Sequence, residues 1–400
     1  MGEFFGSAVL GTSGVPATGM GSSGFFNVPS PNFHLAPLLP VDGGAAVGLT
    51  LQAVQCSDDG LHAVALGVDN GTGDLRAVYS SDSGHTWTVA GGFPIIAGGT
   101  GAFSGGLQPI AFHGLTAVAL VQAGGNNVIA SSADGGQTWT NTTPATATPT
   151  GPIYSRVAGA FLWFDSTNNL VWSAADGATW TSTALPASID AAQFLENAAG
   201  TALIAYVSVA PDNHAEMWSS ADGATWISRL VVTGTTSTPA YIPFVFHPTR
   251  NEFAATFLHD IDFGYDFYAS NAAGTAWTLK SAGFQPPPDA TPVVFKHLYY
   301  TNSNSPSFYI SADGVTWTPE AITNPYLVNN TWQLSGTGVI LILYGPNVAA
   351  TPDGINFGPL VLFETSGNVS AMAATSAGGG YTLGVGVTDA GLGHIWRFAA

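Results

Sequence analysis

The carboxylates that could catalyse a reaction lie in short polar loops between apolar segments. Two carboxylates that face each other across a cleft, about 5–9 Å apart, can hydrolyse a glycosidic bond. None of the candidates lies in a recognisable catalytic phrase, and aspartates in turns commonly accept hydrogen bonds from their own backbone. The candidates are Asp165, Asp212, Asp260 and Asp262. A glycoside hydrolase is therefore an alternative, while the expectation leans toward a non-enzymatic protein.

One acidic stretch, His259-Asp260-Ile261-Asp262, has the alternation that places two carboxylates on one face of a strand. Its spacing fits no calcium loop, and no second cluster of His and Asp accompanies it. The nine histidines are scattered, and the chain contains no phosphate loop or dinucleotide fingerprint. No metal and no cofactor are predicted.

The polar loops are also rich in asparagine, with aromatic residues nearby in sequence. Amide and carboxylate groups can hydrogen-bond to sugar hydroxyls while an aromatic ring stacks on the sugar, which is how a neutral-sugar lectin binds. The predicted ligand-binding residues are Asn126, Asn127, Trp163, Asn168, Asn169, Asp212, Asn213, Asp260, Asp262 and Asn302. Asparagine-rich loops also form simple turns, so that interpretation stays open.

A short phrase recurs seven times along the chain. It reads SSDSGHTWT, SSADGGQTWT, SAADGATWT, SSADGATWIS, SNAAGTAWT, SADGVTWT and TPDGINF. The closing aromatics, six tryptophans and then Phe357, are separated by 52, 41, 46, 51, 40 and 40 residues. A period of about 40–50 residues in a chain of short strands indicates a β-propeller.

Each residue type in the phrase has a structural role at the tip of a β-hairpin. The Asp carboxylate accepts backbone N–H groups, Gly supplies a positive φ angle, and Trp opens the next strand and packs inward. The residues predicted for these structural roles are Asp82, Trp87, Asp134, Trp139, Asp176, Trp180, Asp222, Trp226, Trp277, Asp313, Trp317 and Asp353. In the fifth copy Ala273 stands where Asp is expected, which predicts a weakened turn.

The phrase resembles the Asp-box, or bacterial neuraminidase repeat, of sialidase-like β-propellers, over roughly residues 46–400. The resemblance implies that the boxes lie on outer turns, between the third and fourth strands of each blade and away from the ligand-binding face. Sialidases also bind a sugar carboxylate with three arginines. This chain has five arginines, scattered along its length, and lacks the Arg-Ile-Pro motif, so sialidase activity is not expected.

The repeats divide the chain into an N-terminal arm, residues 1–45, and a propeller, residues 46–400. Third-strand segments recur eight times, from LRAVYSS to HIWRFA, and the last unit stops after its third strand. The fold class is therefore all-β, a single propeller of eight four-stranded blades, with seven as the alternative. Because an unclosed ring leaves an edge strand unpaired, an N-terminal strand around residues 26–39 is predicted to close it.

Composition restricts the partners. The net charge is −18, and the seven Lys and Arg residues form no run, which disfavours nucleic acid and anionic membranes. No apolar run is long enough for membrane insertion, and no export signal is visible. A single cysteine, Cys56, allows no intrachain disulfide.

The favoured function is a non-enzymatic structural or attachment protein of a virus particle, in the tail or on the capsid surface of a phage. Such a protein would contact other virion proteins through the N-terminal arm and could bind host glycans. The low share of charged residues, 8%, and the apolar patches of the arm favour this interpretation. A secreted or cell-surface glycan-binding lectin is the alternative, with the glycoside hydrolase ranked below it.

Overall fold

A computed structural model gives the fold. It describes residues 49–93, 109–123, 126–142, 149–186, 191–197, 199–209, 214–233, 244–247, 250–258, 265–284, 292–295, 298–301, 307–321, 331–334, 340–344, 347–351, 361–362, 368–374, 381–387 and 393–399. The arm, the predicted closing strand and Phe357 lie outside these residues, as do Asp212, Asn213, Asp260, Asp262, Asn302 and Asp353. Asn126 and Asn127 are described as backbone only.

The described residues form strands and turns, which build seven four-stranded sheets and one three-stranded sheet. The first sheet contains β1 (Leu49–Cys56), β2 (Ala63–Asp69), β3 (Leu75–Ser80) and β4 (Thr88–Val89). The second contains β5 (Ile110–His113), β6 (Thr116–Ala123), β7 (Asn126–Ser132) and β8 (Thr140–Asn141). The third contains β9 (Pro149–Ser155), β10 (Ala160–Asp165), β11 (Leu170–Ala174) and β12 (Thr181–Ala184). The fourth contains β13 (Ala191–Glu196), β14 (Leu203–Val209), β15 (His214–Ser220) and β16 (Ile227–Thr233).

The remaining sheets follow the same order. The fifth contains β17 (Phe244–His247), β18 (Glu252–Leu258), β19 (Tyr265–Ser270) and β20 (Trp277–Phe284). The sixth contains β21 (Pro292–Phe295), β22 (Leu298–Thr301), β23 (Ser307–Ser311) and β24 (Thr318–Ala321). The seventh contains β25 (Thr331–Leu334), β26 (Ile340–Tyr344), β27 (Asn347–Thr351) and β28 (Val361–Leu362). The eighth contains β29 (Asn368–Ala374), β30 (Tyr381–Val387) and β31 (Gly393–Ala399).

Every sheet is an antiparallel meander in chain order. The first strands of neighbouring sheets contact each other: β1 contacts β5, and β5 contacts β9. By contrast β12, the fourth strand of the third sheet, is exposed along its whole length. First strands are therefore inner strands and fourth strands form the outer edges. No helix of the described residues is long and apolar enough to cross a membrane.

In the first five sheets the second strands are buried along most of their described length, as expected where a neighbouring sheet covers each face. β10 (AFLWFD) and β14 (LIAYVSV) are buried at every position. One apolar cluster joins the first sheet to the second through Val64, Leu66, Phe112 and Trp139. Ile395 of the eighth sheet packs into the core of the first, and β1 contacts β29 and β30. The first sheet therefore packs face to face against the second and the eighth.

Candidate functional site

The box turns are closed hydrogen-bonded units. In the second box, Asp134 Oδ1 accepts the Ser132 hydroxyl at 2.7 Å and the Thr138 backbone N–H at 2.9 Å. Asp134 Oδ2 accepts the Thr138 hydroxyl at 2.6 Å, and the Gly136 N–H donates to Ser132 Oγ at 2.9 Å. The carboxylate thus holds its own turn through hydrogen bonds to Ser132 and Thr138.

The same acceptor role recurs in four of the other described boxes. Asp82, Asp176, Asp222 and Asp313 each accept the backbone N–H of the box threonine, which is Thr86, Thr179, Thr225 or Thr316. The closing tryptophans pack inward, since Trp87 and Trp139 are buried and Trp180, Trp277 and Trp317 are partly buried. Trp226 is buried as well.

These hydrogen bonds lower the carboxyl pKa values. The backbone N–H groups of Thr225 and Ala224 lower the pKa of Asp222 to about 2. Burial alone would raise the pKa of Asp134, but the hydroxyl and backbone N–H of Thr138 outweigh it and hold the pKa below its usual value. The box carboxylates are therefore poor general acids, because they remain ionised near neutral pH.

In the fifth box a different residue, Asn271, holds the turn. Asn271 Oδ1 accepts the Thr275 N–H at 2.9 Å, and the Asn271 amide donates to the Thr275 hydroxyl at 3.0 Å. The turn that carries Ala273 therefore has an acceptor at Asn271, while the weakening expected from Ala273 stays a prediction. Asn197 holds the turn before β14 in the same way, with the Thr201 N–H at 2.8 Å, and both turns share the sequence NAAGTA.

Box glycines bring neighbouring sheets into close contact. Gly223 has φ +74°, and a Cβ there would lie 2.5 Å from the Ala158 Cβ of the third sheet. A Cβ on Gly274 would lie 2.0 Å from Ile204 Cδ1 of the fourth sheet. The boxes of the fourth and fifth sheets thus rest on the first hairpin and the second strand of the preceding sheet, which assigns these boxes a packing role.

The opposite end of the third sheet carries the predicted ligand-binding residues Trp163, Asn168 and Asn169. Asp165, fully buried, accepts the backbone N–H groups of Thr167 at 3.1 Å and Asn168 at 3.2 Å, and the Asn168 amide at 2.8 Å. Asn169 has a left-handed φ of 54°, as the turn requires. Asp165 and Asn168 hold this loop in shape.

Trp163 lies in the core rather than on a surface. It is 1% exposed, stacks on Trp172 with ring centroids 5.4 Å apart, and meets Trp180 edge-on at 6.0 Å. Its assignment as a sugar-stacking residue conflicts with this burial, because its ring presents no open face in the structure. The packing could not be read from sequence, since a strand tryptophan beside a polar loop fits either role.

The corresponding loop of the first sheet is also internally bonded. Asp69 Oδ1 accepts the Gly71 N–H at 2.9 Å, and Arg76 lies 3.9 Å from Asp69 and 3.7 Å from Asp74. Within the described part of the chain, no group of three or more His, Cys, Asp or Glu side chains is placed to hold a metal ion.

A third group of polar side chains lies where the inner strands end, on the same side as the boxes. His113 Nδ1 lies 2.7 Å from Asp58 Oδ2, and the His113 ring stacks on Tyr154 at 3.6 Å with planes 5° apart. Burial, followed by the charges of Asp58 and Glu196, raises the pKa of the Tyr154 phenol. The first three sheets are thus joined by polar and aromatic contacts.

Glu196 joins the third sheet to the fourth. Its carboxylate accepts the Ser155 hydroxyl and the Val157 N–H, while Arg156 donates to it at 3.3 Å and to the Asn197 carbonyl at 2.9 Å. Sequence reasoning missed this side of the molecule. The signal was present, because His113, Ser155 and Glu196 are each the last residue of an inner strand.

No protein-family model matches the chain, and no curated protein matches it. Solved structures do. The Dos1 propeller aligns with a TM-score of 0.62 at 11% identity, covering 88% of this chain and 94% of that one. BamB from Moraxella catarrhalis aligns with a TM-score of 0.50 at 11% identity, covering 88% of this chain and 98% of that one. The chain has a β-propeller fold.

Proposed function

We propose that this protein is a non-enzymatic structural or attachment component of a virus particle, in the tail or on the capsid surface, whose propeller binds host glycans. The observation that carries the non-enzymatic part is the state of Asp165. It is fully buried and accepts three hydrogen bonds within its own loop. A carboxylate held in this way does not face a second carboxylate across an open cleft, as glycoside hydrolysis requires.

Asp69 supports the same conclusion, since its carboxylate accepts the Gly71 N–H and lies 3.9 Å from the Arg76 guanidinium. Glu216, at the same end of the fourth sheet, accepts the Trp218 indole at 2.7 Å and lies 3.0 Å from His214. The carboxylates of Asp69, Asp165 and Glu216 therefore serve local structure.

The proposal includes a finer account of the fold. We infer a closed ring of eight blades of the Asp-box type, with residues 26–39 as the fourth strand of the eighth sheet. Three facts support it: the eighth sheet has three described strands, Ile395 packs into the first sheet, and β1 contacts β29.

The assignment to a virus particle is supported by composition and by the arm. Charged residues are 8% of the chain, and residues 1–45 lie outside the repeats with apolar patches suited to docking on other virion proteins. The glycan-binding part is supported by the exposed side chain of Asn168 and by the polar residues of its own loop, Ser166 to Asn169.

A broad bacterial and host glycan array tests the glycan-binding part with the full chain. Saturable binding to one sugar class is expected, and Asn168→Ala should weaken it without lowering the melting temperature by more than a few degrees. Catalytic release of sugar would contradict the non-enzymatic assignment.

Removal of residues 1–24 tests the arm. The propeller should still fold but should no longer enter its assembly, and unchanged incorporation would contradict the docking role.

A further inference from the structure

Two hairpin tips on the box side expose large apolar side chains. Leu61, between β1 and β2, is 51% exposed, and Leu115, between β5 and β6, is 49% exposed. The equivalent turn of the third sheet, residues 156–159, reads Arg-Val-Ala-Gly and exposes no large apolar side chain. Single exposed leucines are ordinary, so the relation between these two decides whether they form a surface.

The two tips lie side by side because the same contacts hold both. The Gly135 N–H donates to the Leu115 carbonyl at 2.8 Å, and a Cβ on Gly135 would lie 2.6 Å from His62 Cδ2. Gly135 therefore touches both turns. Asp58 and His113, 2.7 Å apart, add a second link between them.

Box turns fix the position of each tip. The Ser83 N–H of the first box donates to the Leu61 carbonyl at 2.9 Å, as the Gly135 N–H of the second box does to Leu115. The leucines are thus presented on hydrogen-bonded backbone, which lowers the entropy cost of binding.

The surroundings of the leucines are acidic. The Asp58 and Asp59 side chains are 57% and 49% exposed, and the His113 side chain is 46% exposed. None of the seven lysines and arginines lies in residues 57–62 or 113–116. The carboxylate oxygens of Asp58 and Asp59 accept hydrogen bonds. The exposed polar atoms of this surface therefore mostly accept hydrogen bonds.

We propose that Asp58, Asp59, Leu61, His113 and Leu115 form a docking surface for a protein partner that presents a lysine or arginine beside apolar side chains. The cation complements the two carboxylates and supplies only donors, while the apolar side chains cover the leucines. A sugar would need donors as well as acceptors. This surface lies at the opposite end of the sheets from Asn168, so its role does not depend on glycan binding.

The test uses the full chain and two short synthetic peptides, one alternating leucine with arginine and one alternating leucine with glutamate. Fluorescence anisotropy at physiological salt should show saturable binding of the leucine–arginine peptide only. The double variant Leu61→Ser, Leu115→Ser should weaken that binding about tenfold or more. Leu279→Ser, at a residue 44% exposed on β20, is the matched control and should leave binding unchanged.

The charge contribution is tested by Asp58→Asn with Asp59→Asn. The amide oxygens can still accept from His113 and from the Leu61 N–H, so the turns should keep their shape, and circular dichroism checks this. Binding of the leucine–arginine peptide should fall about tenfold and lose most of its salt dependence.

Several outcomes would overturn the proposal. Equal binding by the wild type and both variants would mean diffuse attraction to a chain of charge −18. Equal binding of the two peptides, or no binding at about 1 mM, would also overturn it. So would wild-type dimers, seen by analytical ultracentrifugation, that the leucine variant loses, because a second copy would then be the occupant. None of these results depends on the glycan array.

Discussion

Trp163 and Trp172 face each other on β10 and β11, stacked at 5.4 Å, with both indole N–H groups buried and without hydrogen-bond partners among the described residues. Trp139 is buried to a similar extent, but its N–H donates to the Gly136 carbonyl at 2.8 Å. A buried donor without a partner costs about 1–3 kcal/mol. The two indole N–H groups without partners thus offset part of the stability that the burial of the stacked rings provides.

Trp163→Phe and Trp139→Phe form a matched pair of variants. Both lose the same ring area, but only Trp139→Phe also loses a hydrogen bond. We expect Trp139→Phe to be less stable than Trp163→Phe by about 2 kcal/mol in urea unfolding. Equal losses would mean that the Trp163 N–H has a partner in solution.

The box carboxylates predict a loss of stability in acid. The pKa of Asp222 falls from 3.8 to about 2 on folding, mainly through the Thr225 and Ala224 N–H groups. A depressed folded pKa contributes stability above the unfolded value, and that stability disappears as pH falls from about 4 to about 2. The melting temperature should therefore drop over this window, with Asp82, Asp134, Asp176 and Asp313 adding to the effect because their pKa values are also lowered.

Asp222→Asn isolates one of these groups. The variant should be less stable at pH 7 and should show a shallower fall in melting temperature between pH 4 and pH 2 than the wild type. An identical slope for Asp222→Asn and the wild type would show that Asp222 does not contribute to the acid sensitivity.

Gly223 in the fourth box adopts a positive φ angle and also leaves room for the neighbouring sheet. A matched pair of variants separates these two roles. Gly223 and Gly73 have nearly equal φ angles, +74° and +73°, but a Cβ on Gly73 would meet nothing within 4 Å. Gly73→Ala should cost about 1–2 kcal/mol from the backbone alone. Gly223→Ala should cost about 1–3 kcal/mol more, because its Cβ would crowd Ala158. Equal unfolding free energies would mean that the two sheets separate slightly at this contact.

The repeats allowed the fold to be predicted because each repeat carries its own local chemistry. Box residues such as Ser132, Asp134 and Thr138 bond to one another within a few positions, so their spacing alone specifies the turn. The long buried second strands read as continuous apolar runs for a similarly local reason. Arrangements of this kind are visible in sequence.

Contacts between sheets could not be predicted in the same way. The link between Asp58 and His113 spans 55 positions, and the one from Asn197 to the Ala272 carbonyl spans 75. Their partners depend on how neighbouring sheets pack, which no local pattern encodes. The burial of Trp163 was hidden for the same reason, because its covering residues include Leu120 and Ile129 of another sheet.

The fifth box offers a direct test of which residue holds a turn. Asn271→Ala should lose about 1–2 kcal/mol, since the Thr275 N–H and hydroxyl both lose their partner. Asn271→Asp should be tolerated, because a carboxylate accepts the same N–H. Ala273→Asp places the acid where the other boxes suggest it, yet it should add no stability while Asn271 already occupies the role. A clear rise in the unfolding free energy of Ala273→Asp, measured in urea, would instead show that this turn lacks its acceptor.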